Sequence, residues 1–368
     1  LRHKVLMETS RLEPGQIYRE SDVQETYAHM IRLGGVLSTN VRLHPSATDS
    51  TALDADILLT RGKRNSFSVE VEGTNSAGDF GAALSTSYQN RNVFRGGETF
   101  NIKLRGAFEA IKGLSGYQDQ NYIEYSAETG FTFPGFRAPF ISRDFRRKVV
   151  ATSEVSLMYD SQDRPEFHRR VVTAAWKYRW ARPGKRLQHR VDLLDLNYVF
   201  MPWISSTFRE LYLDDPENRN AILRYNYENL FIMKWGYNMT YNSRSIRDGR
   251  TNYGTNGYIV RMGVESSGNL LYGLSKAGLS NINSMGQYTF FNIAYAQYVK
   301  ADFDYSKSFI FDKRNSLALH FGLGVAYPYG NSTILPYEKR YFSGGANSVR
   351  GWSVRELGPG SFRGNDGR

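Results

Sequence analysis

From about residue 65 the chain alternates apolar and polar side chains with a period of two. Phe67, Val69 and Val71 alternate with Ser68, Glu70 and Glu72. Phe100, Ile102, Leu104 and Phe108 alternate with Asn101, Lys103, Arg105 and Glu109. Phe231, Met233, Trp235, Tyr237, Met239 and Tyr241 alternate with Ile232, Lys234, Gly236, Asn238, Thr240 and Asn242. Val299 to Tyr305 and Leu317 to Val325 repeat the pattern. Side chains on a strand point to opposite faces in turn, so this period predicts strands with one apolar and one polar face. Eleven are predicted, at about 65–74, 80–90, 99–110, 122–133, 151–160, 167–179, 188–198, 230–243, 258–265, 291–306 and 316–326. The seventh is irregular, because Val191-Asp192-Leu193-Leu194-Asp195-Leu196 breaks the alternation. A short helix is expected around Ser205 to Leu213, and Ser266 to Tyr288 reads as a long connection.

Residues 1–62 carry a different pattern. Val5, Leu6 and Met7 precede Glu13-Pro14-Gly15, which stops any helix they form. Ser21 reads as an N-cap, with Asp22 and Glu25 in the first turn. Val23, Tyr27, Met30 and Ile31 follow at helical spacing, and Gly34-Gly35 ends the helix. Val36 to Leu43 and Leu53 to Thr60 read as strands. A module this small has little core of its own and is expected to lean on neighbours or on residues before Leu1.

Composition narrows the setting. The chain of 368 residues has no cysteine, so disulfides and cysteine-based metal or nucleophilic sites are excluded. Its six histidines lack zinc-site spacing, and no Gly-x-Ser-x-Gly elbow occurs. No apolar run is long enough for a membrane helix, and the residues from Leu1 lack a signal-peptide pattern. The net charge of +11 is dispersed, which favours anionic lipid headgroups over nucleic acid. Mean hydropathy is −0.50, yet 25 Tyr, 22 Phe, 5 Trp and 34 Gly are present. High aromatic and glycine content with low hydropathy fits a transmembrane β-barrel, in which only alternate residues face lipid. A soluble sandwich also alternates, but its strands are usually about 5–6 residues long. The expected fold is therefore mainly β: an antiparallel transmembrane barrel over 63–368, preceded by a small α+β domain over 1–62. If the first strand leaves the periplasmic side, parity places the connections near 199–229 and 266–290, and the segment after strand eleven, on the extracellular side. The turns near 134–150 and 244–257 are then longer than periplasmic turns usually are. Eleven strands do not close an even-stranded barrel, so further strands are expected beyond Arg368.

The stretch Tyr341 to Phe362, YFSGGANSVRGWSVRELGPGSF, is the densest in turn chemistry. Gly344-Gly345 and Gly358-Pro359-Gly360 punctuate it, and Val349-Arg350-Gly351-Trp352 sits between them. Spacing alone leaves two readings open, an ordinary surface loop or a loop folded into a cavity where Arg350 meets a carboxylate. This motif, with Phe342-Ser343-Gly344-Gly345 through Leu357-Gly358-Pro359-Gly360, resembles the BamA/TamA superfamily of outer-membrane insertases, and most closely its TamA-like lipoprotein (TamL) branch. Pro14-Gly15-Gln16-Ile17-Tyr18 and the helix ending near Leu33-Gly34-Gly35-Val36 resemble the last POTRA domain of such proteins, with its first strand missing.

The resemblance implies a sixteen-stranded barrel in the bacterial outer membrane, with the POTRA domain in the periplasm. Gly344, Gly345, Val349, Arg350, Gly351 and Trp352 would form a sixth outer loop reaching into the lumen. The carboxylates that hold Arg350 would lie beyond Arg368, with Glu70, Glu72, Asp302 and Asp304 as weaker candidates. Unfolded β-barrel clients would pair with the edge of the first strand, Ser66, Phe67, Ser68, Val69, Glu70, Val71 and Glu72. The implied partners are the outer-membrane bilayer, those clients and a periplasm-spanning TamB-like protein. No enzyme activity, cofactor, metal or nucleic acid is implied. The competing readings are a two-partner-secretion polypeptide translocator, a barrel-anchored enzyme and a passive porin. Asp302/Asp304 and Asp214-Asp215 lack the spacing of a calcium loop and read as solvated charge.

Overall fold

A computed structural model of the chain describes all residues except 77–78, 111–120, 139–140, 183–185, 214–226, 228, 244–255, 346–347, 353–356 and 358–368. The N-terminal module comprises α1 (His3–Thr9), α2 (Glu20–Met30) and the hairpin β1 (Val36–Pro45) and β2 (Leu53–Arg61). The main sheet follows with β3 (Asn65–Ser76), β4 (Asp79–Arg91), β5 (Thr99–Ala110) and β6 (Asn121–Pro134). After α3 (Arg143–Lys148) come β7 (Val150–Asp163), β8 (Phe167–Ala181) and β9 (Leu187–Ile204). The short α4 (Ser206–Phe208) precedes β10 (Leu230–Asn242) and β11 (Gly257–Ser267). Then come α5 (Asn269–Lys276), the small strands β12 (Asn281–Ile282), β13 (Tyr288–Phe290) and β14 (Ile293–Ala294), and finally β15 (Tyr298–Ile310) and β16 (Ser316–Pro328).

β3 to β11, β15 and β16 form one antiparallel sheet of eleven strands, each paired with its neighbour in chain order. The alternation read from the sequence is what this meander requires. Register carries it across the sheet, pairing Glu70 with Ser85, Ser85 with Arg105, Arg105 with Ser126 and Ser126 with Asp160. At the other end Lys234 pairs with Asp195, and Glu265 with Lys300. One face is thus mostly polar, with an apolar patch of Val171, Val199, Leu230 and Ile232 on β8, β9 and β10. The other bears Val71, Leu157, Trp235 and Leu323, all left exposed by the protein itself. A soluble protein rarely leaves so large an apolar face bare, whereas lipid covers one.

Three expectations change. β9 runs on to Ile204 and carries an extra residue at Leu193, opposite Trp176/Lys177 on β8 and Lys234/Gly236 on β10. That bulge puts Asp192 and Asp195 on the same face although they are three apart, which explains the broken alternation. The tenth strand begins at Tyr298 rather than near 291, because Phe291 and Asn292 take φ of 52° and 62° and turn the chain back between β13 and β14. Ser21 does not cap α2: the helix begins at Glu20 after an extended Arg19, no side chain caps it, and Glu20 and Asp22 occupy its first turn. Asp214-Asp215, Gly358-Pro359-Gly360 and most of the turn near 244–257 lie outside the described residues.

The module leans on the turn between β4 and β5. Gly34 N–H donates to the Gly97 carbonyl at 3.0 Å, and Arg2 N–H to the Arg95 carbonyl at 2.8 Å. A Cβ on Gly34 would lie 2.7 Å from the Gly97 oxygen, so this approach needs glycine. Inside the module, Arg11 Nη2 donates to His29 Nδ1 at 3.1 Å. A guanidinium accepts nothing, so His29 must be neutral there. Burial first, then Arg11 and Arg32, hold its pKa at about 4 instead of 6.5.

A histidine depressed in the folded state contributes stability that is complete above its unfolded pKa and lost as pH falls towards the folded one. The linkage is worth up to about 3 kcal/mol. In the full protein, intrinsic-rate-corrected amide exchange of α2 is expected to accelerate between pH 6.5 and about 4. His29→Gln should flatten that dependence, and an unchanged profile in the variant would refute the assignment.

Candidate functional site: the polar face and the loop after β16

The polar face carries a belt of charge. On its β3 side, Arg105 contacts Glu124 at 2.7 Å and reaches over β4 to Glu72 at 3.6 Å, while Lys103 reaches Glu70 at 3.9 Å. Those reaches are open because β4 offers only small side chains there, Ala83, Ser85 and Ser87. Further round, Arg179 meets Glu154 at 3.3 Å, Arg190 meets Asp192 at 2.8 Å and Arg261 meets Asp304 at 3.1 Å. His320 also bonds Asp304.

The strongest grouping lies where β9, β10, β11 and β15 meet. Lys234 Nζ contacts Glu265 at 2.8 Å and Asp195 at 3.7 Å. Tyr298, fully buried, donates to Glu265 at 3.0 Å. Two carboxylates and one ammonium leave this wall one negative charge in excess. Lys339, from the loop after β16, supplies the balance at 3.7 Å from Glu265. Burial, then the neighbouring Lys234 ammonium, lowers the Lys339 pKa, while Glu265 opposes that fall.

The same loop segment is pinned on both sides of Lys339. Glu338 accepts from Arg169 at 3.4 Å and from Asn197 at 3.3 Å. Tyr341 donates to Asp302 at 2.5 Å, lies beneath the Lys300 ammonium at 4.2 Å from its ring centroid, and fills the space above Gly324 where a Cβ would stand. Leu335 packs with Ile232, Ala296 and Tyr298 on the same side. The turn Tyr337–Lys339, together with Tyr341 just after it, thus ties β8, β9, β11 and β15 together across their polar face. Laid flat, β8 and β15 would be about 19 Å apart, so a contact set this tight suits a face that is concave towards the loop.

The predicted motif follows this anchor. Gly344 and Gly345 take φ of 100° and 89°, as their turn role requires. Gly345 N–H donates to the Trp352 carbonyl at 2.8 Å, and Trp352 N–H to the Val349 carbonyl at 3.1 Å, so Arg350 and Gly351 form the corner of a tight turn. Val349, Arg350 and Gly351 are exposed, and Trp352 is half-buried. The four weaker candidate carboxylates all lie on the polar face with partners of their own: Glu70 with Lys103, Glu72 with Arg105, Asp302 with Tyr341 and Lys300, and Asp304 with Arg261 and His320.

Ser66 to Glu72 lie on β3, the end strand of the sheet. Phe67, Val69 and Val71 are on the apolar face, and Ser68, Glu70 and Glu72 on the polar one. The two predicted groups therefore stand at opposite ends of the strand order. Sequence reasoning missed Glu338, Lys339, Glu265 and Lys234. The available signal was the charged run Glu338-Lys339-Arg340 between two tyrosines, just before the glycine pair.

Comparison with known proteins gives a concordant picture. A family model described as the Omp85 superfamily domain matches residues 58–367. The chain is similar in fold to a crystal structure of BamA from Haemophilus ducreyi lacking POTRA domains 1–3. The TM-score is 0.56 and the identity 13%, covering 97% of this chain and 59% of that one. CdiB from Acinetobacter baumannii is matched with a TM-score of 0.47 and 12% identity, over 96% of this chain and 55% of that one. The chain therefore spans under two thirds of either structure. A search of curated proteins returned no match.

Proposed function

The chain belongs to the Omp85 superfamily, and from that premise we propose that it is an outer-membrane barrel that inserts β-barrel clients into the membrane. The competing reading is a polypeptide exporter, and the test below separates the two. The observation that carries the reading is the loop after β16, seated on the polar face through Glu338, Lys339 and Tyr341. In a passive porin such a loop would only narrow the passage, whereas a machine that must change shape gains a catch that can be released.

The finer assignments follow from the motif. Within the superfamily the chain goes to the TamL branch, on Phe342 to Gly345 and Leu357 to Gly360. Residues 1–62 are its last POTRA domain, in the periplasm and within reach of a TamB-like partner. Val349, Arg350, Gly351 and Trp352 are the inward-reaching motif of the loop. Clients add a strand to β3 along Ser66, Phe67, Ser68, Val69, Glu70, Val71 and Glu72, in the manner of β-augmentation. The work is folding assistance, without covalent chemistry, cofactor or metal.

Photo-crosslinkers placed at Ser66, Ser68 and Glu70 of the full-length protein test this directly. Adducts with several nascent barrel proteins, together with a fall in many outer-membrane proteins when the protein is depleted, are expected. Arg350→Ala should lower those adducts. Loss of a single secreted polypeptide, with barrel proteins unchanged, would identify an exporter instead.

A further inference from the structure

The connection between β11 and β15 departs from the polar loops that usually crown such sheets. Between Asn269 and Gln297 it carries one charged side chain, Lys276, and no carboxylate, whereas 23% of the whole chain is charged. It folds outward. Leu271 and Ile293 pack with Phe231, Met233, Leu196 and Tyr198, all on the apolar face of β9 and β10. The connection therefore overhangs the outside of the wall and is continuous with the surface that lipid covers.

Its own outer surface is apolar as well. Leu270, Leu274, Leu279 and Ile282 are exposed, Met285 is 82% exposed and Phe291 is 78% exposed. Phe291 also sits at positive φ, a conformation that disfavours bulky side chains and here holds the ring at the hairpin tip. It lies 6.3 Å edge-on from Tyr198 and 6.5 Å from Phe231, at the upper end of the apolar face. Lys276 lies over Tyr272 at 5.3 Å and Tyr288 at 5.5 Å. Amphipathic tyrosines and a stacked lysine above exposed leucines form the arrangement favoured at a membrane–water boundary.

We propose that α5 and the β12–β14 sheet form an interfacial anchor, seated in the outer leaflet through Leu270, Leu274, Met285 and Phe291. The occupant is membrane lipid, because the patch continues the barrel's lipid-facing surface and lacks the carboxylates that anionic headgroups would repel. The inference rests on reading the sheet as a membrane barrel.

Residues 1–368 hold no cysteine, so a cysteine introduced among them is read against the parent protein carried through the same labelling. Phe291→Cys, Leu270→Cys, Leu157→Cys on the apolar face and Arg314→Cys in the β15–β16 turn would be introduced into the full-length protein. Each would carry an environment-sensitive dye and be reconstituted in vesicles of phosphatidylethanolamine and phosphatidylglycerol. Brominated lipid should quench the labels at 270 and 291 about as strongly as the one at 157, and aqueous iodide several-fold less than the one at 314. Iodide quenching equal to that at 314 would overturn the anchor, and so would shielding from both quenchers, which would mean a protein cover. If the label at 157 is itself untouched by lipid, the barrel reading falls and takes the anchor with it. Either tip variant suffices if the other does not fold.

Discussion

Replacing Glu265 with alanine is expected to free the loop after β16 and to cost the full-length protein on the order of 2–3 kcal/mol, as removal of the shared acceptor from a partly buried ionic group does. Glu265 is the acceptor shared by Lys234, Lys339 and Tyr298. Without it, two ammonium groups face each other with only Asp195 between them, and the buried Tyr298 hydroxyl loses its partner. The loss should appear as a lower denaturant midpoint in detergent and as trypsin cleavage at Lys339 and Arg340. Glu265→Gln keeps an acceptor for Tyr298 but abandons the charge, so it should fall between wild type and alanine. Wild-type cleavage kinetics in the alanine variant would show that the loop is held by something else.

Gly324→Ala should release the same loop from its other end. Alanine suits a strand better than glycine, so the substitution alone ought to stabilise β16. Its Cβ, however, would occupy the place of the Tyr341 ring. Evicting the ring forfeits the Asp302 hydrogen bond, about 1 kcal/mol, and the Lys300 contact, about 0.5–1 kcal/mol, which together correspond to roughly ten- to thirtyfold faster cleavage at Arg340. Tyr341→Ala should behave alike, and the double variant no worse than either single one. Additive effects of the two would mean that Gly324 and Tyr341 act separately.

The strands were legible because each must satisfy lipid on one side and water on the other, which writes a two-residue period into the chain. Met233 to Asn242 shows this without interruption. Legibility failed where a side chain's surroundings were not set by the pleat. Leu193 is the extra residue of a bulge, so the pattern on either side of it shifts by one. Phe291 to Tyr295 alternates like a strand, but Ile293 and Tyr295 pack on the outside of β9 and β10 as part of a connection. The loop's glycines were readable from backbone need alone. Its anchor was not, since Glu338 meets Arg169 and Lys339 meets Glu265 only after the sheet has brought distant strands under them.

The small side chains on the polar face of β4 have a mechanical consequence. Because Lys103 and Arg105 stretch across that strand to Glu70 and Glu72, β3 is tethered to β5 as well as hydrogen-bonded to β4. Each tether is solvent-exposed and worth less than about 1 kcal/mol. Together they resist rolling about the strand axis while leaving the far rim of β3 free to take or lose a neighbour. A pull on that rim is shared by three strands, so the end of the sheet behaves as a ledge on guy-lines rather than as a swinging door, and raising the salt concentration slackens the lines.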